Sequence, residues 1–207
     1  MTCCEEKEFL YRLVKIDEKA PDFNLPAYDP LTDDETVVSL GSLRWKWTVL
    51  FYYPADFTFV CPTELQDMAN ERDRFEEIWV EVLMASTDTV YSHRAWVKHE
   101  KLLQNFPYKM LADHNLMVAD LYNLLDENTW MAWRWTFVID PDWIVRVIEI
   151  TSWPLGRNSE ELIRKIEWLQ HMRENPWIAC PAKWTKGQTT LAPSMKISWE
   201  VYEALNK

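Results

Sequence analysis

WTVLFYYPADFTFVCPTELQDM, residues 47–68, is the run whose reading decides the fold of this chain. Its first seven residues are continuously apolar and rich in β-branched and aromatic side chains, the pattern of a strand buried on both faces. Pro54 ends that strand, and 54–60 reads as a connecting loop. From 63 to 79 the apolar residues Leu65, Met68, Phe75, Ile78 and Trp79 recur at helical spacing with charged residues between them. A second β-rich run, 80–86, follows, so 47–86 reads as a βαβ unit with a right-handed crossover.

Outward from this unit, 91–103 is predicted as a helix, 109–111 as a short strand and 115–121 as another helix. Residues 136–139 and 144–150 read as two strands of a hairpin joined at Pro141-Asp142-Trp143. The longest helix is predicted over 159–173, with Asn158 as N-cap and Glu161 three residues on. Pro176 stops it. Beyond lie Pro181, Gly187 and Pro193, so the tail reads as an irregular arm. The element order points to an α/β layer fold with a mixed central sheet. Residues 1–14 are expected to be an N-terminal extension, 15–175 the folded domain and 176–207 a C-terminal arm.

A chain of 207 residues suits one domain with a sizeable core. Its net charge of −11 argues against a nucleic-acid backbone or an anionic membrane as partner. The first twenty residues lack the apolar stretch of a secretory signal, and no apolar run approaches the ~20 residues that span a bilayer. A soluble, cytoplasmic protein is expected. In such a reducing compartment the four cysteines, Cys3, Cys4, Cys61 and Cys180, are poor candidates for a structural disulfide framework. No Cys-x-x-Cys is present, and His93, His99, His114 and His171 show no ligand spacing with the cysteines. A zinc site is therefore not expected.

Cys61 falls in the first turn of the predicted helix, where free N–H groups and the positive dipole end favour a thiolate. A thiolate is a nucleophile suited to an electrophilic oxygen. Thr58, three residues earlier, is placed to turn its hydroxyl into the same pocket, and Pro62 sits where a missing N–H does no harm. A free cysteine is by default a small buried hydrophobe, so position alone leaves both readings open.

Pro-x-x-x-Thr-x-x-Cys, here Pro54, Thr58 and Cys61, is similar to the active-site signature of peroxiredoxins. The wider string FYYPADFTFVCPTEL, 51–65, resembles the typical two-cysteine, alkyl hydroperoxide reductase C-like branch. The resemblance continues through APDFNLPA (20–27), STDTVYSHRAW (86–96), FVIDPD (137–142), GRN (156–158), ACPAKW (179–184) and TLAPS (190–194). It implies a thioredoxin-like fold with helices flanking the mixed sheet. It also implies a thiol peroxidase that reduces hydrogen peroxide and alkyl hydroperoxides without metal, haem or flavin.

Carried over by residue, the resemblance makes Cys61 the peroxidatic cysteine, Thr58 its hydrogen-bonding partner and Pro54 a shield against water. Arg134, which alone reads as a surface cation, becomes the guanidinium that stabilises the thiolate and polarises the peroxide bond. Cys180, otherwise an inert arm cysteine, becomes the resolving cysteine. The implied intersubunit Cys61–Cys180 disulfide forms in an antiparallel homodimer, which in this family also builds a decamer. It is reopened by thioredoxin or a dedicated disulfide reductase. Glu64 and Trp96 match family positions near the site, although a first-turn helix charge and a core aromatic serve equally well as their roles. Cys3 and Cys4 have no counterpart and read as free thiols. The absence of a Gly-Gly-Leu-Gly insertion in 103–109 implies the type that resists overoxidation. The rival readings are a non-enzymatic ring assembly and a thioredoxin-like disulfide exchanger, the latter disfavoured by the missing Cys-x-x-Cys.

One compositional feature stands apart. At roughly 7% usage about 14 glycines are expected, yet the chain has 3, while tryptophan occurs 13 times. Trp45, Trp79, Trp135, Trp143, Trp177 and Trp199 stand where relatives carry glycine, whereas Trp47, Trp96 and Trp184 stand where relatives carry tryptophan. The Pro141-Asp142-Trp143 turn independently asks for a residue comfortable at positive φ. A code in which UGA means glycine, read as tryptophan, is the expectation.

Overall fold

The computed structural model describes residues 14–206. Seven strands form one mixed sheet: β1 (Asn24–Asp29), β2 (Asp34–Ser39), β3 (Trp47–Tyr52), β4 (Val80–Ser86), β5 (Lys109–Ala112), β6 (Arg134–Ile139) and β7 (Val145–Thr151). The helices are α1 (Cys61–Asn70), α2 (Arg72–Glu77), α3 (Val90–His99), α4 (Met117–Leu121), α5 (Ser159–Glu174) and α6 (Val201–Leu205). In space the strands run β2-β1-β5-β4-β3-β6-β7. β3 is parallel to β4 and β4 to β5, while β1, β2, β6 and β7 pair antiparallel.

β3 lies inside the sheet and is buried along its whole length. Its side chains alternate between two cores, as the pleat requires. Val49, Phe51 and Tyr53 face the core shared with Leu65, Met68, Trp96 and Ile163, whereas Leu50 and Tyr52 face Leu83, Tyr122 and Phe137. Each large side chain so buried contributes roughly 1.5–3 kcal/mol. The loop after β3 therefore leaves from one of the most firmly held places in the fold.

Three elements differ from the sequence reading. The β1–β2 hairpin is absent from it: Pro26 and the exposed acidic turn at Asp33 and Asp34 obscure two short strands. The helix expected over 63–79 starts at Cys61 and is broken at Glu71, where ψ reaches 11°, into α1 and α2. The helix expected to 103 ends at His99, followed by a single 3₁₀ turn. Asn158 caps α5 as predicted, its Oδ1 accepting the Glu161 N–H at 2.9 Å.

Among the described residues, eleven other than glycine take a positive φ, and four of those are tryptophans: Trp45 (72°), Trp79 (56°), Trp130 (59°) and Trp143 (65°). Trp130 was not singled out from the sequence. Trp135, Trp177 and Trp199 do not have a left-handed backbone.

Candidate active site

β3 delivers Tyr53 and Pro54 into the loop 54–60, and the loop delivers Cys61 to the first turn of α1. The loop is fastened from below. Asp56, buried, accepts the Tyr53 hydroxyl at 2.8 Å and meets His93 Nδ1 at 2.9 Å. His93 Nε2 faces the Leu111 carbonyl at 3.1 Å, so both ring nitrogens point at acceptors. The Asp56 N–H donates to Asp88 at 2.9 Å, and burial pushes that carboxyl up from the ordinary value, with the charge of Asp56 adding to it. Trp96 packs its ring against Tyr53 and Phe57 at centroid distances of 5.7 and 6.3 Å. Phe57 itself takes φ 55°, a strained conformation of the kind found at functional loops.

Cys61 is fully buried. Arg134, on the first residue of β6, points a guanidinium N–H at its sulfur from 3.3 Å. The same nitrogen pairs with Glu64, and Arg134 Nε donates to the Trp153 carbonyl at 2.8 Å. Glu64 is shared. Arg157 reaches its other oxygen through both Nε (2.8 Å) and its backbone N–H (3.0 Å). Arg157 also donates to the Trp135 carbonyl and lies over the Phe51 ring, 3.3 Å from its centroid. Burial pushes the Arg157 guanidinium down from its ordinary value, and Glu64 opposes that shift.

The three charged side chains are each no more than 2% exposed. Two cations against one carboxylate leave one positive charge uncompensated, and buried charge demands a partner. The acceptor that Arg134 faces is the Cys61 sulfur. A cysteine thiolate there brings the cluster to neutrality.

The other residues singled out from the sequence are placed as follows. Pro54 is buried, directly after Tyr53. Thr58 donates its hydroxyl to the Ala55 carbonyl at 2.9 Å rather than to the sulfur, which leaves its oxygen lone pairs as acceptors. Cys180 lies in the segment after α5, in contact with Trp168, and both it and Cys61 are free thiols. The arm folds back through an Ala179–Leu191 bridge. It is pinned by Trp184, which is buried, stacks on His171 at 5.0 Å and receives an Arg164 N–H on its carbonyl at 3.0 Å. Burial pushes the Cys180 thiol up from its ordinary value, and a contact with Trp168 tempers the shift. Cys3 and Cys4 lie outside the described residues. Sequence reasoning gave no role to Arg157, Asp56 or His93. The GRN string contained Arg157, but its partner Glu64 lies 93 residues away.

A profile described as the AhpC/TSA family matches residues 16–148. Alkyl hydroperoxide reductase C of Staphylococcus haemolyticus is 39% identical over 175 residues, covering 84% of this chain and 93% of the relative. Among solved structures, the reduced 2-Cys peroxiredoxin of Plasmodium vivax superposes with a TM-score of 0.85 at 30% identity, over 90% of this chain and 98% of that one. AhpC of Enterococcus faecalis superposes with a TM-score of 0.76 at 39% identity, over 80% of this chain and 98% of its own.

Proposed function

Because the chain belongs to the AhpC/TSA family and is a peroxiredoxin peroxidase that reduces peroxides through thiols, we propose that Cys61 is its peroxidatic cysteine and Cys180 the cysteine that resolves it. The observation that carries the first assignment is the buried Arg134–Glu64–Arg157 cluster, one positive charge in excess, aimed at the Cys61 sulfur from 3.3 Å.

In this reading the Cys61 thiolate attacks the nearer oxygen of hydrogen peroxide or an alkyl hydroperoxide. The S–O bond forms as the O–O bond breaks, and the sulfur gives up two electrons to the peroxide. The far oxygen leaves as hydroxide or alkoxide and takes a proton from water. Arg134 holds the charge that builds on the peroxide oxygens, a site-directed stabilisation that needs no reorganisation. The lone pairs of Thr58 receive the peroxide O–H, and Pro54 keeps water from the sulfur. The resulting sulfenic acid condenses with the Cys180 thiol of a partner subunit, releasing water. Anchoring of the arm to its own α5 through Trp184 supports a reach to the neighbour rather than back to the same chain. The disulfide is then reopened by thioredoxin or a dedicated disulfide reductase.

Residues 15–175 are the peroxidase domain of this reading, 1–14 an extension and 176–207 the resolving arm. The assembly is a homodimer that can build a decamer in the cytoplasm. Among the described residues no helix is long and apolar enough to cross a membrane. The test is peroxide consumption with a thiol reductant: Cys61→Ser should abolish it, and turnover retained by that variant would remove Cys61 from the mechanism.

A further inference from the structure

Seven of the thirteen tryptophans fall into two sets that packing and backbone separate. Trp47, Trp96 and Trp184 do what tryptophan does in a protein. They are buried to 8%, 1% and 2% exposure, none takes a positive φ, and Trp184 satisfies its indole N–H on the Gln188 carbonyl at 3.0 Å.

Trp45, Trp79, Trp130 and Trp143 do the reverse. All four take a left-handed backbone, which crowds Cβ against the following carbonyl for any side chain and is an outlier for a bulky one. Four of the other seven such residues are Asp or Asn (Asp17, Asp33, Asn105 and Asn123), whose short polar side chains tolerate the conformation.

Each of the four also sits in a slot that glycine fills for a stated reason. Trp79 comes just past the end of α2, its N–H closing on the Glu76 carbonyl at 3.1 Å, where a left-handed residue terminates a helix. Trp130 closes a turn on the Asp126 carbonyl at 2.8 Å. Trp143 closes the β6–β7 turn on the Asp140 carbonyl at 2.9 Å. Trp45 lies in the tight step from the 3₁₀ turn at Leu40–Leu43 into β3.

Their indoles are poorly employed as well. Trp45, Trp79 and Trp130 are 69%, 84% and 62% exposed. Trp143 packs against the edge of the core but buries its Nε1 with no partner, as does Trp135. Arg44, lying 4.7 Å from the Trp45 ring and 5.7 Å from that of Trp143, is the one cation that uses their faces among the described residues.

We propose that the native polypeptide carries glycine at positions 45, 79, 130 and 143. Their codon is UGA, decoded in the producing cell by a glycine-charged tRNA, while Trp47, Trp96 and Trp184 are encoded by UGG. This inference is independent of the peroxidase chemistry, since none of the four side chains is a hydrogen-bond or ion-pair partner of Cys61, Arg134, Glu64 or Arg157. It implies that an ordinary bacterial host, which stops at UGA, makes from the native gene only a fragment ending before residue 45.

The experiment is peptide mass analysis of the protein purified from its native source, read beside its gene. Tryptic peptides 75–94, 110–134 and 135–146 should each be lighter than their tryptophan-containing sequences by at least one Trp-to-Gly difference, an indolylmethyl group exchanged for hydrogen. Peptide 47–72, which holds Trp47, should keep its tryptophan-containing mass. A full tryptophan-containing mass in any of the first three peptides overturns the proposal, and so does UGG at any of the four codons. A light 47–72 overturns the division of these seven tryptophans into two sets.

Discussion

Glu64→Gln is the substitution on which the charge argument stands or falls. In the proposed reading, two buried guanidiniums, Arg134 and Arg157, are balanced by the Glu64 carboxylate and a Cys61 thiolate. The amide keeps the volume and part of the hydrogen bonding but removes the charge, so one positive charge is left buried without compensation. Breaking a buried pair by removing one partner costs about 3–5 kcal/mol, and the near-isosteric amide places this variant at the lower end. For a domain of this size ~1 kcal/mol moves Tm by about 2–4 °C, so the midpoint should fall by roughly 6–12 °C. Salt should not rescue it, because buried pairs are little screened. The decisive arm is a double-mutant cycle followed by urea unfolding. With Gln at 64, Arg157→Leu restores neutrality, because Arg134 then faces the thiolate alone. Arg157→Leu should therefore cost about 1–3 kcal/mol less in the Glu64→Gln background than in the wild type. Additive costs, or a Glu64→Gln midpoint within about 3 °C of wild type, would refute the reasoning.

Three further outcomes are expected. Arg134→Met removes the donor aimed at the sulfur and should slow the first peroxide turnover about 10²–10³-fold. Stopped-flow measurement of Cys61 oxidation checks it, and a change below threefold removes Arg134 from the reaction. Because burial raises the Cys180 thiol above its ordinary value, its nucleophilic thiolate is scarce at neutral pH. Disulfide formation after a peroxide pulse should accelerate with rising pH and show no plateau below the ordinary thiol range of about 8.5; a flat profile from pH 7 upward contradicts this. Trp79→Gly relieves a left-handed cost of about 1–2 kcal/mol against the greater backbone freedom of unfolded glycine, for a net gain of roughly 0.5–1 kcal/mol. A thermal melt should rise, whereas glycine at the buried Trp96 should lower it, and a drop for Trp79→Gly counts against the steric argument.

Local chemistry makes much of this protein legible in its sequence. An unbroken apolar run at 47–53 has few fates other than a central strand, and Pro54 and the helical spacing after it place Cys61 at a helix start. Asn158 with Glu161 announces α5, and the Pro-Asp-Trp turn announces both the β6–β7 hairpin and the left-handed backbone at Trp143. These signals lie within a few residues of one another, where backbone sterics and hydrogen bonding act directly. The β1–β2 hairpin escaped because Pro26 and the acidic turn at Asp33 and Asp34 interrupt the alternation of two strands that pair with each other along their whole length. The break at Glu71 escaped because the apolar spacing continues across it.

What only the tertiary structure decided is the company kept by Cys61. Arg134 is 73 residues away in sequence, and the Glu64–Arg157 pair spans 93. Nothing in the spacing of those residues says that they meet. They meet because β6 lies antiparallel beside β3, which sets Arg134 at the end of the sheet where α1 begins, while the turn before α5 returns Arg157 over Phe51. Sequence placed a cysteine where a thiolate is favourable. The packing of the sheet supplied the buried guanidinium aimed at its sulfur.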